Sequence, residues 1–306
     1  VVDAAALGLD AELVGRDIPL GAEPSTFRAV VEELRADPSA RGALVTSHKV
    51  SIYRHARDLL DEVDRWAELC GEVSCLAKID GRLVGSANDP ISSWQAFVEI
   101  AGADYFARHP EAEVLCIGAG GSGTAFTSRL LTVEAPPARI VVTNRSPERL
   151  DALREIHRRL DGRVPVEYRA VGRPEATDAL LADRPPASVV VNATGLGKDR
   201  PGSPLTDAAR FPERAIVWDF NYRGELRFLE QARRQAAERG LTVVDGWRYF
   251  VVGWILHVAA VFGIELDEAR VAELTAIADA TRAPAPDATA LGPDATGDPS
   301  SALGRT

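Results

Sequence analysis

The sequence predicts an α/β protein of two domains with a mainly parallel sheet, on three observations. At 306 residues the chain exceeds the usual span of one hydrophobic core. A glycine cluster, Gly118-Ala-Gly-Gly-Ser-Gly123, sits between the apolar run Val114-Leu-Cys-Ile117 and a helical pattern. Two further β-branched runs, Ser188-Val-Val-Val-Asn192 and Ala215-Ile-Val-Trp-Asp219, suit strands covered by helices on both faces.

Taken in order, Ala4 to Leu9 reads as the end of a helix and Ala11-Glu-Leu-Val-Gly15 as an edge strand. Ser25 then caps an amphipathic helix carrying Phe27, Val30, Val31 and Leu34. Ala43-Leu-Val-Thr46 is a strand that runs through Ser47-His48-Lys49 into a helix with Ile52, Leu59, Leu60 and Val63 on its apolar side. Ser74 to Lys78 and Arg82 to Gly85 form two strands joined by Asp80-Gly81, since Asp-Gly supplies the positive φ of a tight turn. Val114 to Ile117, a helix to about Leu131 and Arg139-Ile-Val-Val-Thr143 complete a βαβ unit. Long helices from Trp247 to Phe262 and from Glu268 to Thr281 return to the first domain, which predicts domains of 1–103 plus 245–282 and of 104–244. Beyond Arg282 the composition has little to bury, predicting a disordered tail over 283–306.

Composition narrows the function. No apolar run approaches the roughly 20 residues that cross a bilayer, so a membrane role is not expected. The formal charge of −10 argues against nucleic acid as a partner and leaves a small-molecule substrate, with a homodimer left open. Cys70, Cys75 and Cys116 have neither CxxC spacing nor a His cluster beside them, so no disulfide framework or metal site is predicted and a cytoplasmic location is expected. The chain starts at Val1 without an export signal and contains no Met, which predicts a processed, truncated or alternatively initiated chain.

Gly118-x-Gly120-x-x-Gly123 stands where a dinucleotide site needs it, since glycines permit a tight turn and the helix N-terminus attracts pyrophosphate. A glycine-rich surface turn is the competing reading. Gly118, Ala119, Gly120, Gly121, Ser122 and Gly123 are the expected contacts of a Rossmann domain. At the end of the second strand, where an NAD site places an acid, the chain has Asn144, Arg145, Ser146 and, nearby, Arg149. A 2′-phosphate suits these residues, so NADP is the expected cofactor; solvated helix-start charges are the alternative for the two arginines.

Several separated motifs resemble those of the shikimate dehydrogenase family from about Leu7 to Gly263. Gly42-Ala-Leu-Val-Thr-Ser-His-Lys49 is similar to GFNVTIPHK, and Asp80-Gly-Arg-Leu-Val-Gly85 with Asn88-Asp89 to DGxLxGxNTDG. Asn144-Arg145-Ser146 resembles NRT, Asn192-Ala-Thr-Gly-Leu-Gly197 resembles NATPLGM, and Asp219-Phe-Asn-Tyr222 resembles DxxY. The resemblance implies an NADP-dependent dehydrogenase with Lys49 and Asp89 as catalytic dyad, and places Asn192, Ala193 and Thr194 at the cofactor. The chemistry agrees: ketone reduction needs a proton delivered to oxygen as hydride reaches carbon, and a carboxylate would hold the lysine in place.

The family's substrate contacts are largely replaced. Its Asn and Thr ahead of the lysine are Ala43 and Val45, the Asn of its GAVNT falls on Ser74, the Thr before its Asp on Asn88, and the Gln of its final helix on about Gly253. Of these contacts only Tyr222 clearly remains, and the family's N-terminal strand and SxS motif would lie before Val1. A cyclic polyol or a hydroxy acid of different polar pattern is therefore the expected substrate, read by Ser47, Ser74, Asn88 and Tyr222, with His48 and Arg248 as further candidates. His48 fits equally a packing role at a helix start, and Trp247 and Arg248 structural ones. True shikimate or quinate dehydrogenase activity and a non-catalytic NADPH sensor are the alternatives; retention of Lys49 and Asp89 speaks against the sensor.

Overall fold

Strand pairing sorts the described residues into two sheets, of four and six strands. The computed structural model describes residues 7–19, 21–160, 162–198 and 200–282, so the tail predicted for 283–306 and the start of the first predicted helix lie outside the described residues. Residues 9–19 contain no strand, contrary to the edge strand predicted at Ala11 to Gly15, and Leu13 and Val14 stay exposed. Among the described residues no strand pairs with this segment, so its backbone has no ladder to join.

Helix α1 (Pro24–Ala36) buries Phe27 and Val31. It begins two residues earlier than the predicted Ser25 cap allows, with Glu23 at the cap, because Pro24 suits the first turn. Strand β1 (Gly42–Leu44) leads into α2 (Lys49–Ala56), which stops well short of the predicted Val63. There a 3-10 turn (Arg57–Leu59) intervenes and the backbone extends into β2 (Glu62–Val63). Asp61 accounts for the break, since its N–H donates to the Leu83 carbonyl at 2.9 Å and its carboxylate accepts from the Leu83 N–H at 2.7 Å. Tertiary pairing here outweighs local helical preference.

Helix α3 (Arg65–Cys70), capped by the Asp64 carboxylate, precedes the predicted hairpin of β3 (Cys75–Ile79) and β4 (Arg82–Ser86). Its turn residues Asp80 and Gly81 hold φ of 50° and 77°. The smaller sheet runs β1-β3-β4-β2 and is mixed, antiparallel except between β2 and β4. Helices α4 (Asp89–Ala101) and α5 (Tyr105–Arg108) then carry the chain to the larger sheet.

That sheet is built from β5 (Val114–Ile117), α6 (Gly121–Leu130), β6 (Ile140–Asn144), α7 (Pro147–Arg158), β7 (Val166–Ala170), α8 (Pro174–Ala182), β8 (Val189–Asn192), β9 (Ile216–Asp219), α9 (Arg227–Arg239) and β10 (Thr242–Val244). Its order is β10-β9-β8-β5-β6-β7 with every pair parallel, the doubly wound Rossmann arrangement. Strand order reverses between β5 and β8, which opens a crevice beyond their carboxyl ends, where such folds bind ligands. Helix α10 (Trp247–Phe262) returns to pack on β3, β1 and α4, followed by α11 (Glu268–Ala280), close to the boundaries predicted. Among the described residues no helix is long and apolar enough to cross a membrane.

An aromatic cluster joins α4 to the larger sheet: Phe126 of α6 stands 6.0 Å from Phe97 of α4 and 5.5 Å, edge-on, from Trp218 of β9. All three are fully buried. Phe126→Ala is expected to cost about 3–5 kcal/mol in urea unfolding, because the cavity falls between elements that cannot collapse onto it.

Candidate active site

Glycines shape the loop that leaves β5. Gly118 holds φ of +116°, where a Cβ would stand 2.7 Å from the Ala193 carbonyl oxygen, and a Cβ on Gly123 would collide with the Gly118 carbonyl. Gly120 differs, with nothing within 4 Å of where its Cβ would lie. The first N–H groups of α6 have no intrahelical partner and carry partial positive charge, so this open side fits a dinucleotide pyrophosphate.

The end of β6 is tied to the same loop. Asn144 accepts from the Ala119 N–H at 3.3 Å and donates to the Ser146 carbonyl at 3.2 Å. Arg145 and Arg149 are exposed and enter no ion pair among the described residues, which leaves both guanidinium groups available to a 2′-phosphate. Ser146 caps α7, accepting from the Arg149 N–H at 3.4 Å and donating to the Glu148 carboxylate at 2.6 Å. Asn192 is fully buried with both ends of its amide committed: it donates to Asp219 at 3.1 Å and accepts from the N–H and hydroxyl of Thr194. Asn192 and Thr194 thus build the loop that supports Gly118, with Ala193 in direct backbone contact.

Lys49 and Asp89, far apart in sequence, meet at the first residues of α2 and α4. The Lys49 ammonium donates to the Asp89 carboxylate at 2.5 Å, and only 7% of the Asp89 side chain is exposed. Burial would strip Lys49 of its proton, but the Asp89 and Glu72 carboxylates outweigh it and hold the ammonium above its usual range. Burial likewise pushes Asp89 up, and the Lys49 charge and hydrogen bond overcome it, leaving the carboxyl below its usual range. At pH 7 the two form a buried ion pair.

Three residues absent from the sequence expectations surround that pair. Glu72, between α3 and β3, is 1% exposed and reaches the glycine loop: a Cβ on Gly121 would lie 2.9 Å from its Oε2. Tyr249 of α10 sets its hydroxyl beside Asp89 and Ser122, and His257, two turns on, interacts with Asp89 and Lys49. Glu72 Oε1, Asn88 Nδ2, Tyr249 Oη and His257 Nε2 are buried without a hydrogen-bond partner among the described residues. Each such atom costs about 1–3 kcal/mol, so four around one ion pair describe a site shaped for a ligand.

Comparison with known proteins now decides the family. No protein-family model matches the chain. A shikimate dehydrogenase (NADP(+)) of Rubrobacter xylanophilus is 36% identical over 250 residues, which cover 79% of this chain and 77% of that one. The chain belongs to the shikimate dehydrogenase family. A crystal structure of shikimate 5-dehydrogenase from Thermus thermophilus in complex with shikimate matches with a TM-score of 0.61 at 26% identity, covering 90% of each chain. Ligand-free 5-ketofructose reductase of Gluconobacter shares the fold, with a TM-score of 0.62 at 23% identity over 90% of each chain.

Against the family's motifs, Glu72 stands at the alanine of GAVNT, two positions before Ser74. An acid inside the otherwise small and apolar stretch from Gly71 to Leu76, just ahead of a buried strand, was the signal that could have exposed it. Ser74 is buried, its hydroxyl accepting from the Asn88 N–H at 2.9 Å. Gly253 falls within α10, and His257 donates from Nδ1 to its carbonyl one turn later. Tyr222 stacks on Phe250 at 4.4 Å under the Lys198 ammonium, while Ser47 is exposed. His48 is a packing residue, holding φ of 63°, contacting Phe27 and bonding the Ile18 carbonyl at 2.9 Å. Arg248 pairs with Glu99, and the Trp247 indole donates to Asp279, so neither faces the ion pair.

Burial and the nearby Asp89 charge push Glu72 from an ordinary 4.5 to about 7. A carboxyl raised on folding stabilises fully below its unfolded value and loses that contribution as pH rises through its folded one. His157 and His257, both lowered by burial, act with the opposite sign, so the test compares variants. In urea titrations Glu72→Gln is expected to gain on the parent protein between pH 4.5 and 7, by on the order of 3 kcal/mol. A difference that does not change with pH would show Glu72 to be solvated.

Proposed function

We propose that the chain is an NADP(H)-dependent dehydrogenase that interconverts a hydroxyl and a ketone of a small polyhydroxylated molecule, a cyclic polyol or a hydroxy acid. The carrying observation is the buried Lys49–Asp89 ion pair, set beside the glycine loop through Tyr249 and Ser122. The four-stranded part, 1–103 with 245–282, holds the substrate and the six-stranded part, 104–244, holds the cofactor. The open side at Gly120, the first turn of α6 and the exposed Arg145 and Arg149 fit pyrophosphate and 2′-phosphate respectively.

NADPH, held by the glycine loop with Arg145 and Arg149, would supply the hydride that the substrate's carbonyl carbon takes up and would become NADP⁺. The Lys49 ammonium donates a proton to the carbonyl oxygen in the same reduction, giving the alcohol, and recovers one from solvent afterwards. In the oxidative direction the neutral amine accepts the hydroxyl proton. Asp89 fixes the ammonium and keeps it charged, so the proton is in place before the substrate arrives. Tyr249, raised well above its ordinary range by burial and by Asp89, stays a phenol whose unpartnered hydroxyl can donate to the substrate.

Identity to shikimate dehydrogenases over most of the chain supports shikimate itself as a second reading. Both readings are tested by following NADPH absorbance with shikimate, quinate and a panel of cyclitols and their ketones. Lys49→Ala is expected to lower turnover at least 10²-fold with NADPH affinity unchanged; unaltered turnover would remove the lysine from the reaction. Arg145→Glu should weaken NADPH far more than NADH, and equal losses would overturn the 2′-phosphate assignment.

A further inference from the structure

The substrate end of the crevice holds more acid than base. Among the described residues, Lys49 is the one permanent cation bearing on Asp89 or Glu72, and its charge is already met by Asp89. Burial keeps His257 neutral. Lys198 stands over the Tyr222 ring at 5.6 Å, and Arg248 is paired with Glu99.

The unpartnered atoms add a second constraint. His257 turns Nδ1 to the Gly253 carbonyl, which assigns the proton to that nitrogen and leaves Nε2 an acceptor. Glu72 Oε1 accepts when ionised, while Asn88 Nδ2 and the Tyr249 hydroxyl donate. A ligand that satisfies all four must both donate and accept. Hydroxyl groups do both; an ionised carboxylate only accepts.

We propose that Glu72 is a specificity-determining residue that restricts the site to uncharged polyhydroxylated ketones and alcohols and turns away carboxylic acids. The assignment rests on the dehydrogenase reading above. Above about pH 7, where Glu72 is ionised, a carboxylate substrate beside Glu72 and Asp89 would bring a third acid into one buried space with a single cation to answer it. The hydroxyls of an uncharged polyol instead donate to Glu72 and His257 and accept from Asn88 and Tyr249. Sites that read hydroxyls through buried polar groups reject ligands that leave those groups unpaired.

The test combines calorimetric titration of the NADP-loaded protein with shikimate, quinate, myo-inositol and 5-ketofructose, and NADP(H)-linked turnover of the same probes. Wild type, Glu72→Ala and the near-isosteric Glu72→Gln are compared. Expected is binding of an uncharged probe at least tenfold tighter than either acid, with that preference narrowed tenfold or more in Glu72→Ala and also reduced in Glu72→Gln. A wild type that prefers an acid, a preference untouched in both variants, or binding of no probe overturns the proposal. Preferential binding of an uncharged probe without turnover of any supports the selectivity while removing the dehydrogenase reading. Shikimate turnover unaltered in both variants removes the selectivity and leaves that reading standing.

Discussion

Everything in the crevice is arranged around a charge pair that water cannot reach freely. Lys49 and Asp89 sit at the first turns of α2 and α4, and these two positions are not equivalent. An anion at a helix N-terminus is favoured by the helix dipole, whereas a cation there is opposed. Asp89 is thus at home in α4, and Lys49 keeps its proton only because carboxylates face it. Removing either partner of a buried pair is costly, since the survivor remains desolvated and uncompensated.

The two sheets supply the pair with different surroundings. From the smaller sheet come Glu72, Ser74 and Asn88, all close to the strands of the β3–β4 hairpin, and α10 adds Tyr249 and His257 from the far end of the chain. From the larger sheet comes the glycine loop, brought near by the aromatic contact of α4 with α6 and β9. Asp89 opens α4, while Phe97 later in that helix packs on Phe126 and Trp218, so one rigid helix connects the charge pair to the six-stranded sheet.

Much of this was legible in the sequence because the signals are local. The glycine cluster between β5 and α6 and the apolar runs of β5, β8, β9 and α10 are local signals, and the structure keeps the boundaries of those elements to within a residue or two. Where pairing partners decide, the pattern misled: Ala11 to Gly15 has a strand's composition but pairs with no strand among the described residues, and the helix from Lys49 gives way to β2 because Asp61 binds Leu83. The same division holds in the site. Lys49, Asp89 and the glycine loop lie in recognisable spacings, whereas Glu72, Tyr249 and His257 come from three segments that only the fold brings together. Asn192 shows the reverse case, a motif residue whose polar groups hold the loop behind the site.

The chain has only three lysines, Lys49, Lys78 and Lys198, so side-chain NMR of isotopically labelled lysine resolves the central claim with little ambiguity. Titrating the wild type and Asp89→Asn follows the Lys49 amine through its loss of charge. A buried ion pair predicts that Lys49 in the wild type titrates above 10.5 and that the value falls steeply in Asp89→Asn, as burial acts unopposed by its nearest carboxylate. A Lys49 that titrates at its ordinary value in both proteins would mean that the pair is solvated, and that Asp89 does not hold the proton on which the proposed reduction depends.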